Sequence, residues 1–251
     1  MIYFVGAGPG DPKLITVRGR ELLETANVVI YAGSLVNPEL LNWCRPDCEI
    51  HNSAQMTLEE VLAVMETSQK KVERLVRLHT GDPSIYGAIK EQMDALKKLG
   101  LSYEVIPGVS SFQGAAASLG LEYTLPGVTQ TLILTRMEGR TPVPEKESIE
   151  HLAKIQASMA IFLSSSMMEE LAKRLVKGGY PAKTKAAIVY KATWPDERVI
   201  YTNLENLAID GKKSGITKTA LILVGDFLGT DYDRSLLYHP QFSHEFRQGN
   251  E

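Results

Sequence analysis

Three short loops rich in glycine and proline constrain the fold of this chain more than any other feature. Each follows a short apolar segment that predicts a β-strand: residues 2–5 lead into loop 6–11, residues 75–79 into loop 80–87, and residues 103–106 into loop 107–111. Helical patterns separate these strands, and this alternation predicts a parallel sheet with right-handed crossovers. Because ligands bind outside the carboxyl ends of strands in such sheets, the three loops together predict a binding pocket.

Local signals predict where several helices begin. Thr57 opens the sequence T-L-E-E, which is typical of a capping box. Asp82 followed by Pro83 predicts a helix that begins at Pro83, since aspartate is a common cap and proline suits the first helical position. Ser166 and Glu169 predict a second capping box. Ser164, Ser165 and Ser166 are not surrounded by the G-x-S-x-G motif that is typical of a nucleophilic serine.

The second half of the chain has a different pattern, with several strands close together near its end. Its predicted strands are 131–135, 159–163, 186–190, 199–202 and 220–224. Short spacing between the last strands predicts hairpins and therefore a mixed sheet. We expect an α/β protein with two α/β domains, residues 1–120 with a mainly parallel sheet and 121–230 with a mixed sheet, and an irregular tail at 231–251.

Composition excludes several classes of protein. The 251 residues are 44% hydrophobic and 23% charged with a net charge of -3, which fits a globular domain and argues against a polycation for nucleic acid. Cys44 and Cys48 are the two cysteines, so a disulfide scaffold is excluded and two reduced thiols are expected. No metal site is expected, because His51 alone cannot complete a zinc set with them. The chain shows neither a signal-peptide pattern nor an apolar run of the ~20 residues that span a bilayer, so we expect a cytoplasmic protein without a membrane partner.

The first loop does not fit the common phosphate-binding motifs. The third glycine of G-x-G-x-x-G would fall at position 11, which is Asp11, and residues 30–33 lack the acid that would hold a ribose. The Gly-Lys-Ser/Thr of a P-loop is also absent. Taken alone, the first loop is equally compatible with a ligand-binding loop and with an ordinary strand-to-helix turn. Together, the three loops favour an adenosine-bearing ligand without a pyrophosphate, and a sulfonium cofactor suits their carbonyl oxygens.

Three motifs in this order resemble the tetrapyrrole methylase family: V-G-A-G-P-G-D-P-K-L-I-T at the start, then T-G-D-P-S-I-Y-G, then I-P-G-V-S-S. The resemblance runs from Ile2 to about Gly229. It implies an S-adenosylmethionine-dependent enzyme with two α/β domains, a cofactor cleft between them, and a homodimeric state. Residues 29–36 and 135–142 resemble the branch of this family that methylates C11 of precorrin-4 or cobalt-precorrin-4 in cobalamin biosynthesis, so a small corrin precursor is the implied substrate.

The resemblance also implies which residues bind the cofactor. These are Pro9, Thr80, Gly81, Asp82, Ile85, Ser110, Ser111, Leu163, Ala192 and Ala220. It assigns no catalytic residue, because Ala32, Gly33 and Ser34 stand where related uroporphyrinogen methylases carry an acid.

Docking of a substrate with many carboxylates calls for cationic side chains. Arg136, Arg140 and Tyr86 are the predicted substrate contacts, with the loop 136–147 as a lid. Further cationic candidates are Arg18, Arg45 and Lys191.

Three alternatives remain open from the sequence. One is another precorrin or tetrapyrrole methyltransferase of the same family. A second is an rRNA ribose methyltransferase of the same superfamily, which would need a basic surface that a pI near 6.0 does not favour. The third is a nucleotide-binding module without catalytic activity.

Overall fold

The computed structural model describes residues 1–71 and 73–249, which cluster into two compact units. The first unit contains Met1–Ala115 together with Lys191–Glu197. The second contains Ala116–Tyr190 and the chain from Arg198 onward. The segment Lys191–Glu197 lies within the span 121–230 that the sequence predicts as one domain, yet it clusters with the first unit.

A five-stranded parallel sheet in the order β3-β2-β4-β1-β5 forms the centre of the first unit. Its strands are β1 Ile2–Gly6, β2 Val28–Tyr31, β3 Glu49–Asn52, β4 Leu75–His79 and β5 Tyr103–Ile106. Its helices are α1 Val17–Glu24, α2 Leu58–Lys70, α3 Ile89–Lys98 and α4 Ser111–Leu119, the last of which runs past Ala115. Alternate residues of the strands belong to two separate apolar clusters. The sheet is therefore covered on both faces, as parallel sheets require.

The second unit contains a mixed sheet in the order β6-β7-β10-β8-β9. Its strands are β6 Leu132–Arg136, β7 Ser158–Phe162, β8 Lys185–Tyr190, β9 Arg198–Asn203 and β10 Ala220–Val224. Only β6 and β7 pair in parallel; the remaining described pairs are antiparallel. Its helices are α5 Ile149–Ala153, α6 Met168–Gly178 and α7 Leu207–Ser214. This confirms the predicted fold class of two α/β domains, one parallel and one mixed.

Short 3-10 helices occur in the connections of both units. They are Pro12–Leu14, Gly33–Leu35, Pro38–Trp43, Ser53–Gln55, Glu145–Glu147, Ser165–Met167, Asp226–Leu228 and Leu236–Tyr238.

The helix predicted from Pro83 is wrong at its start. α3 begins at Ile89, and the preceding segment is a turn in which Tyr86 and Ala88 adopt left-handed φ values of 55° and 49°. A left-handed residue cannot continue a right-handed helix, so the six residues after Asp82 stay outside it. The capping box at Thr57 is confirmed, because the Thr57 and Glu60 side chains each bond the other's backbone N–H.

The capping box predicted at Ser166 and Glu169 is also wrong. Ser166 lies inside the 3-10 helix Ser165–Met167, and Met167 is the N-cap of α6. Glu169 instead pairs with Lys173 one helical turn later, at 2.7 Å. The 3-10 helix shifts the helix start past Ser166, which the local sequence pattern does not reveal.

Candidate functional site

The first two loops join at the carboxyl ends of β1 and β4. Gly8 N donates to Gly81 O at 3.3 Å, and Gly81 N donates to Gly8 O at 3.0 Å. Ala7 N donates to His79 O at 2.7 Å. The sheet ladder therefore continues into the loops as one isolated bridge, which fixes their backbones relative to each other.

The third loop approaches the same point so closely that no side chain fits. A Cβ on Gly6 would lie 2.5 Å from the Cα of Gly108 and 2.6 Å from the carbonyl oxygen of Gly81. Gly81 itself has a φ of 58°, in the left-handed region that favours glycine. Glycines at these positions therefore let the three loops pack backbone against backbone.

Asp82 links the second loop to the third. Its Oδ2 accepts from Gly108 N at 2.8 Å, and its Oδ1 accepts from Ser84 N at 2.8 Å and from the Ser84 hydroxyl. Partial burial alone would raise the pKa of this carboxyl, but the hydrogen bonds from Ser84 and Gly108 outweigh it, so its pKa is lowered. The carboxylate thus holds three donors of the protein and sets the spacing of the two loops.

The other predicted residues of these loops differ in exposure. Ser110 is buried, with its backbone N–H donating to Gln113 Oε1 at 2.9 Å, whereas Thr80 and Ser111 are partly exposed. Ile85 is half-buried in the turn after Asp82. Tyr86 is 46% exposed despite its left-handed backbone. Such strained, exposed backbone persists only where the surroundings enforce it and occurs preferentially at functional sites.

The segment Lys191–Glu197 packs on the first loop. Trp194 Nε1 donates to Pro9 O at 3.2 Å, and Asp11 N donates to Thr193 Oγ1 at 3.0 Å. Ala192 is 5% exposed, and a Cβ on Gly10 would lie 2.7 Å from its carbonyl oxygen. Pro9 and Ala192, which the resemblance places at the cofactor, are therefore neighbours in the first unit.

Two residues that the sequence patterns did not single out also lie at this end of the sheet. Asn37 is buried, and its Nδ2 donates to Gly10 O at 2.9 Å. Asn37 precedes Pro38 and caps a 3-10 helix, a signal that suggests a turn but not this contact.

His79, at the end of β4, is the second residue that the sequence patterns did not single out. Its side chain is 3% exposed, and its Nε2 has no hydrogen-bond partner among the described residues. Burial, with a smaller effect from the Arg77 charge, lowers its pKa to about 3, so the imidazole is neutral.

The predicted residues of the second unit lie at strand ends. Leu163 follows β7 directly, with a left-handed φ of 52° and 64% exposure, and Ala220 is the half-buried first residue of β10. Exposure and strain make Leu163 unlike a core leucine.

Arg136, at the end of β6, binds its own loop. Its guanidinium donates to Met137 O at 3.0 Å, to Thr141 O at 3.3 Å and to Pro142 O at 2.8 Å. Met137 N in turn donates to the buried Ser164 Oγ at 3.0 Å. Three of the donors of Arg136 are thus occupied in holding the loop 137–142 in one conformation.

Arg140 lines a cavity of about 520 Å³ beside this loop. The lining residues are Glu138, Gly139, Arg140, Pro142, Val143, Glu145, Ser148 and Arg174. Arg174 donates to Glu150 Oε2 at 2.9 and 2.7 Å and also bonds Glu138, and these hydrogen bonds lower the pKa of both carboxyls. Arg140 is exposed and, within the described residues, has no such partner.

The remaining cationic candidates are paired with acids. Arg18 lies 3.7 Å from Glu21. Arg45 binds Asp47 through both its Nε and its terminal nitrogen. Lys191 lies 2.7 Å from Asp196.

The described residues contain neither a candidate metal cluster nor a membrane-spanning helix. Among residues 1–71 and 73–249, no group of three or more His, Cys, Asp or Glu side chains could hold a metal ion. None of the helices in the same residues has the length and apolar character needed to cross a membrane.

Comparison with known proteins gives consistent matches. Residues 1–208 match the model of the tetrapyrrole (corrin/porphyrin) methylases. A cobalt-precorrin-4 C(11)-methyltransferase of Methanocaldococcus jannaschii is 53% identical over 250 residues, which cover 99% of this chain and 96% of the relative. One of Priestia megaterium with the same name is 46% identical over 253 residues, covering 99% and 98%.

Solved structures of methyltransferases from the same family are similar to this chain. The X-ray structure of a cobalt precorrin-4 methyltransferase superposes with a TM-score of 0.89 at 46% identity, covering 91% of this chain and 96% of that chain. A uroporphyrin-III C-methyltransferase of Thermus thermophilus, complexed with S-adenosylhomocysteine, superposes with a TM-score of 0.76 at 26% identity, covering 90% and 92%.

Proposed function

The chain belongs to the tetrapyrrole (corrin/porphyrin) methylase family, and from that premise we propose that it transfers a methyl group from S-adenosylmethionine to C11 of cobalt-precorrin-4. The observation that carries this proposal is the near full-length identity to two relatives with that name, 53% and 46%. Relatives named precorrin-4 C(11)-methyltransferase, with no cobalt in the name, are 41% and 40% identical. Cobalt-precorrin-4 is therefore the favoured substrate, and metal-free precorrin-4 is the second candidate.

The loops of the first unit fit an adenosyl cofactor. Gly6 has no room for a Cβ and Gly81 has a left-handed φ of 58°, so glycine at both positions lets the loops meet, and Thr80 and Ser111 beside them are small and partly exposed. When bound, S-adenosylmethionine supplies a methyl group on a sulfonium that is already activated for transfer. We assign to its binding all ten residues that the family resemblance implies, with Asp82 acting through the loops that it holds together.

Arg140 and Arg136 have different proposed roles toward the substrate carboxylates. Arg140 is exposed beside a cavity of about 520 Å³ and has a guanidinium available for a carboxylate. Arg136 holds the loop 137–142 through three carbonyls and thereby positions Arg140. Tyr86, exposed after the second loop, is the third proposed contact.

Orientation is the proposed basis of catalysis. An enamine-like ring carbon is a nucleophile without further activation, so the protein's tasks are to align the reacting atoms and to exclude water. Rigid loops serve this purpose, because the bonds among Gly8, Gly81, Asp82 and Gly108 hold them at fixed spacing. No side chain is assigned as a general base.

The proposed setting is a homodimer in the cytoplasm that binds neither nucleic acid nor a membrane. Support comes from the family and from the net charge of -3, which does not favour a polyanionic partner. Light scattering of the purified protein measures the oligomeric state directly.

A methylation assay with purified cobalt-precorrin-4 and metal-free precorrin-4 tests the proposed function. We expect faster turnover of the cobalt complex and a product methylated at C11, as located by NMR. Calorimetry should detect S-adenosylhomocysteine binding. Methylation at another ring carbon would favour a different precorrin methyltransferase, and cofactor binding without any transfer would favour a binding module.

A further inference from the structure

Cys44 and Cys48 lie in the first unit and take no part in the proposed methyl transfer. They flank the turn between the 3-10 helix Pro38–Trp43 and β3. Both are partly buried and pack against the same apolar cluster of the first unit. The two thiols are thus sheltered from bulk solvent on one side yet within reach of a small molecule.

The turn that joins them is fixed by three features. Cys48 N donates to Arg45 O at 3.0 Å, which closes a β-turn. Pro46 occupies its second position, where the proline ring sets φ in advance. Arg45 and Asp47 pair across the turn, with Nε–Oδ1 at 3.0 Å and a second contact at 2.6 Å. The folded chain therefore holds the two cysteines close together, whereas the unfolded chain does so only part of the time.

The thiols themselves are in contact and are not equivalent. Cys48 Sγ donates to Glu49 O at 3.8 Å, and the side-chain interaction between the two thiols lowers the pKa of Cys44 although burial opposes this. The same contact raises the pKa of Cys48, as do burial and the nearby Asp47 charge, while Arg45 opposes them. A more acidic thiol beside a less acidic one is the arrangement in which the first attacks a disulfide and the second resolves the product.

We propose that Cys44 and Cys48 form a redox-active dithiol, which a small-molecule disulfide such as oxidised glutathione converts reversibly into an intramolecular disulfide. The Cys44 thiolate attacks one sulfur of the oxidant, forming a mixed disulfide and releasing one thiolate. Cys48 then loses its proton and attacks the Cys44 sulfur, which releases the second thiolate. Two protein thiols are oxidised, and one small-molecule disulfide is reduced to two thiols. This proposal is independent of the methyltransferase function.

A metal site is a weaker use of the same pair. Two thiolates supply half of a tetrahedral zinc set, and the described residues contain no group of three or more candidate ligands. The turn geometry therefore points to disulfide exchange.

Equilibration of the intact protein in glutathione buffers tests the proposal. Samples at increasing ratios of oxidised to reduced glutathione are quenched with acid, alkylated and weighed by mass spectrometry. We expect two main species, one alkylated at both cysteines and one that carries no label and has lost two hydrogen atoms. Excess reduced glutathione should restore the first species.

The same titration in urea shows whether the fold is responsible. Because the folded turn holds the thiols together, the folded protein should reach half oxidation at a ratio at least about tenfold lower than the denatured chain. Equal midpoints would overturn the proposal. So would a folded chain that stays doubly alkylated, links to a second chain, or carries glutathione on both cysteines.

One substitution and one labelling experiment separate the two roles. In Cys48→Ser the resolving thiol is missing, so a mixed disulfide with glutathione should accumulate on Cys44. In the wild-type protein, where both thiols are intact, brief reaction with limiting iodoacetamide followed by peptide mapping should label Cys44 several-fold faster than Cys48. The reverse order of rates would contradict the assignment of Cys44 as the attacking thiol.

Discussion

At the scale of single residues, His79 is a buried imidazole that the fold keeps uncharged. It is 3% exposed, its ring centroid lies 5.9 Å from that of Phe4, and its pKa is lowered from 6.5 to about 3. Between these two pH values the unfolded chain binds a proton at His79 that the folded chain does not. The free energy of unfolding therefore falls as the pH drops through this window.

We predict that His79→Leu reduces this dependence on pH. The contribution of His79 to the slope approaches about 1.4 kcal/mol per pH unit, and the variant should lose it. Urea titrations of both proteins at several pH values between 3 and 6.5 measure the difference. An unchanged slope in His79→Leu would mean that the imidazole is charged in the fold.

Gly81 shows how backbone conformation and ligand approach can be separated. Gly81→Ala places a side chain on a left-handed residue, at a cost of roughly 1–2 kcal/mol. Gly100→Ala imposes similar strain at a φ of 68°, where a Cβ would meet nothing within 4 Å. We predict similar losses of stability in both variants but weaker S-adenosylhomocysteine binding in Gly81→Ala alone. The affinities for S-adenosylhomocysteine are measured by calorimetry. If both variants lose affinity equally, or if neither does, Gly81 does not belong to the cofactor site.

At the scale of elements, the loop 137–142 is held at both ends. Met137 N bonds Ser164, and Glu138 bonds Arg174 of α6, while Arg136 binds the carbonyls of Thr141 and Pro142. Arg136, whose donors are occupied, therefore shapes the loop, whereas the exposed Arg140 remains available to a ligand.

We predict different kinetic effects for the two arginines of this element. Arg140→Ala should raise the KM for the corrin substrate with little change in kcat or stability, and added salt should produce a similar rise in the wild type. Arg136→Ala should also raise the KM, and in addition it should make the loop sensitive to limited proteolysis. Arg136→Lys should partly restore both the wild-type KM and the resistance to proteolysis. Weaker S-adenosylhomocysteine binding in Arg140→Ala would show that the loop serves the other ligand.

The elements also show what the sequence predicts well. Strands such as β1 and β4 are short apolar runs with loop signals at one end, so their positions follow from local pattern. β3 was missed because it is an edge strand of four residues, E-I-H-N, with little apolar content. The start of α3 was misplaced because two left-handed residues, Tyr86 and Ala88, override the signal of Asp82 and Pro83.

At the scale of the whole chain, topology predicts which loops come together. Loops that follow adjacent parallel strands must meet at one edge, so the grouping of Pro9, Gly81 and Ser110 follows from topology. The packing of Lys191–Glu197 on the first loop depends on Trp194 reaching a carbonyl 185 residues away, and no local pattern encodes such a contact. The resemblance to a family supplied Ala192 instead.

Orientation of the two substrates is expected to supply most of the rate acceleration. The Asp82 carboxylate accepts hydrogen bonds from Ser84 and Gly108, so it is engaged in holding the loops together. Orientation can supply ~7–11 kcal/mol of a barrier, while acid–base help is typically worth about 10²–10⁴-fold. We therefore expect graded losses of at most about 10²-fold when polar loop residues are changed to alanine.

A single-turnover scan with both ligands saturating measures these losses. The residues to change are Thr80, Asp82, Tyr86, Ser110 and Ser111. Saturation removes effects on binding, so what remains reports the alignment of the reacting atoms. A loss of about 10⁴-fold or more at one position, with both ligands still bound, would identify a general acid or base and replace orientation as the main source of rate.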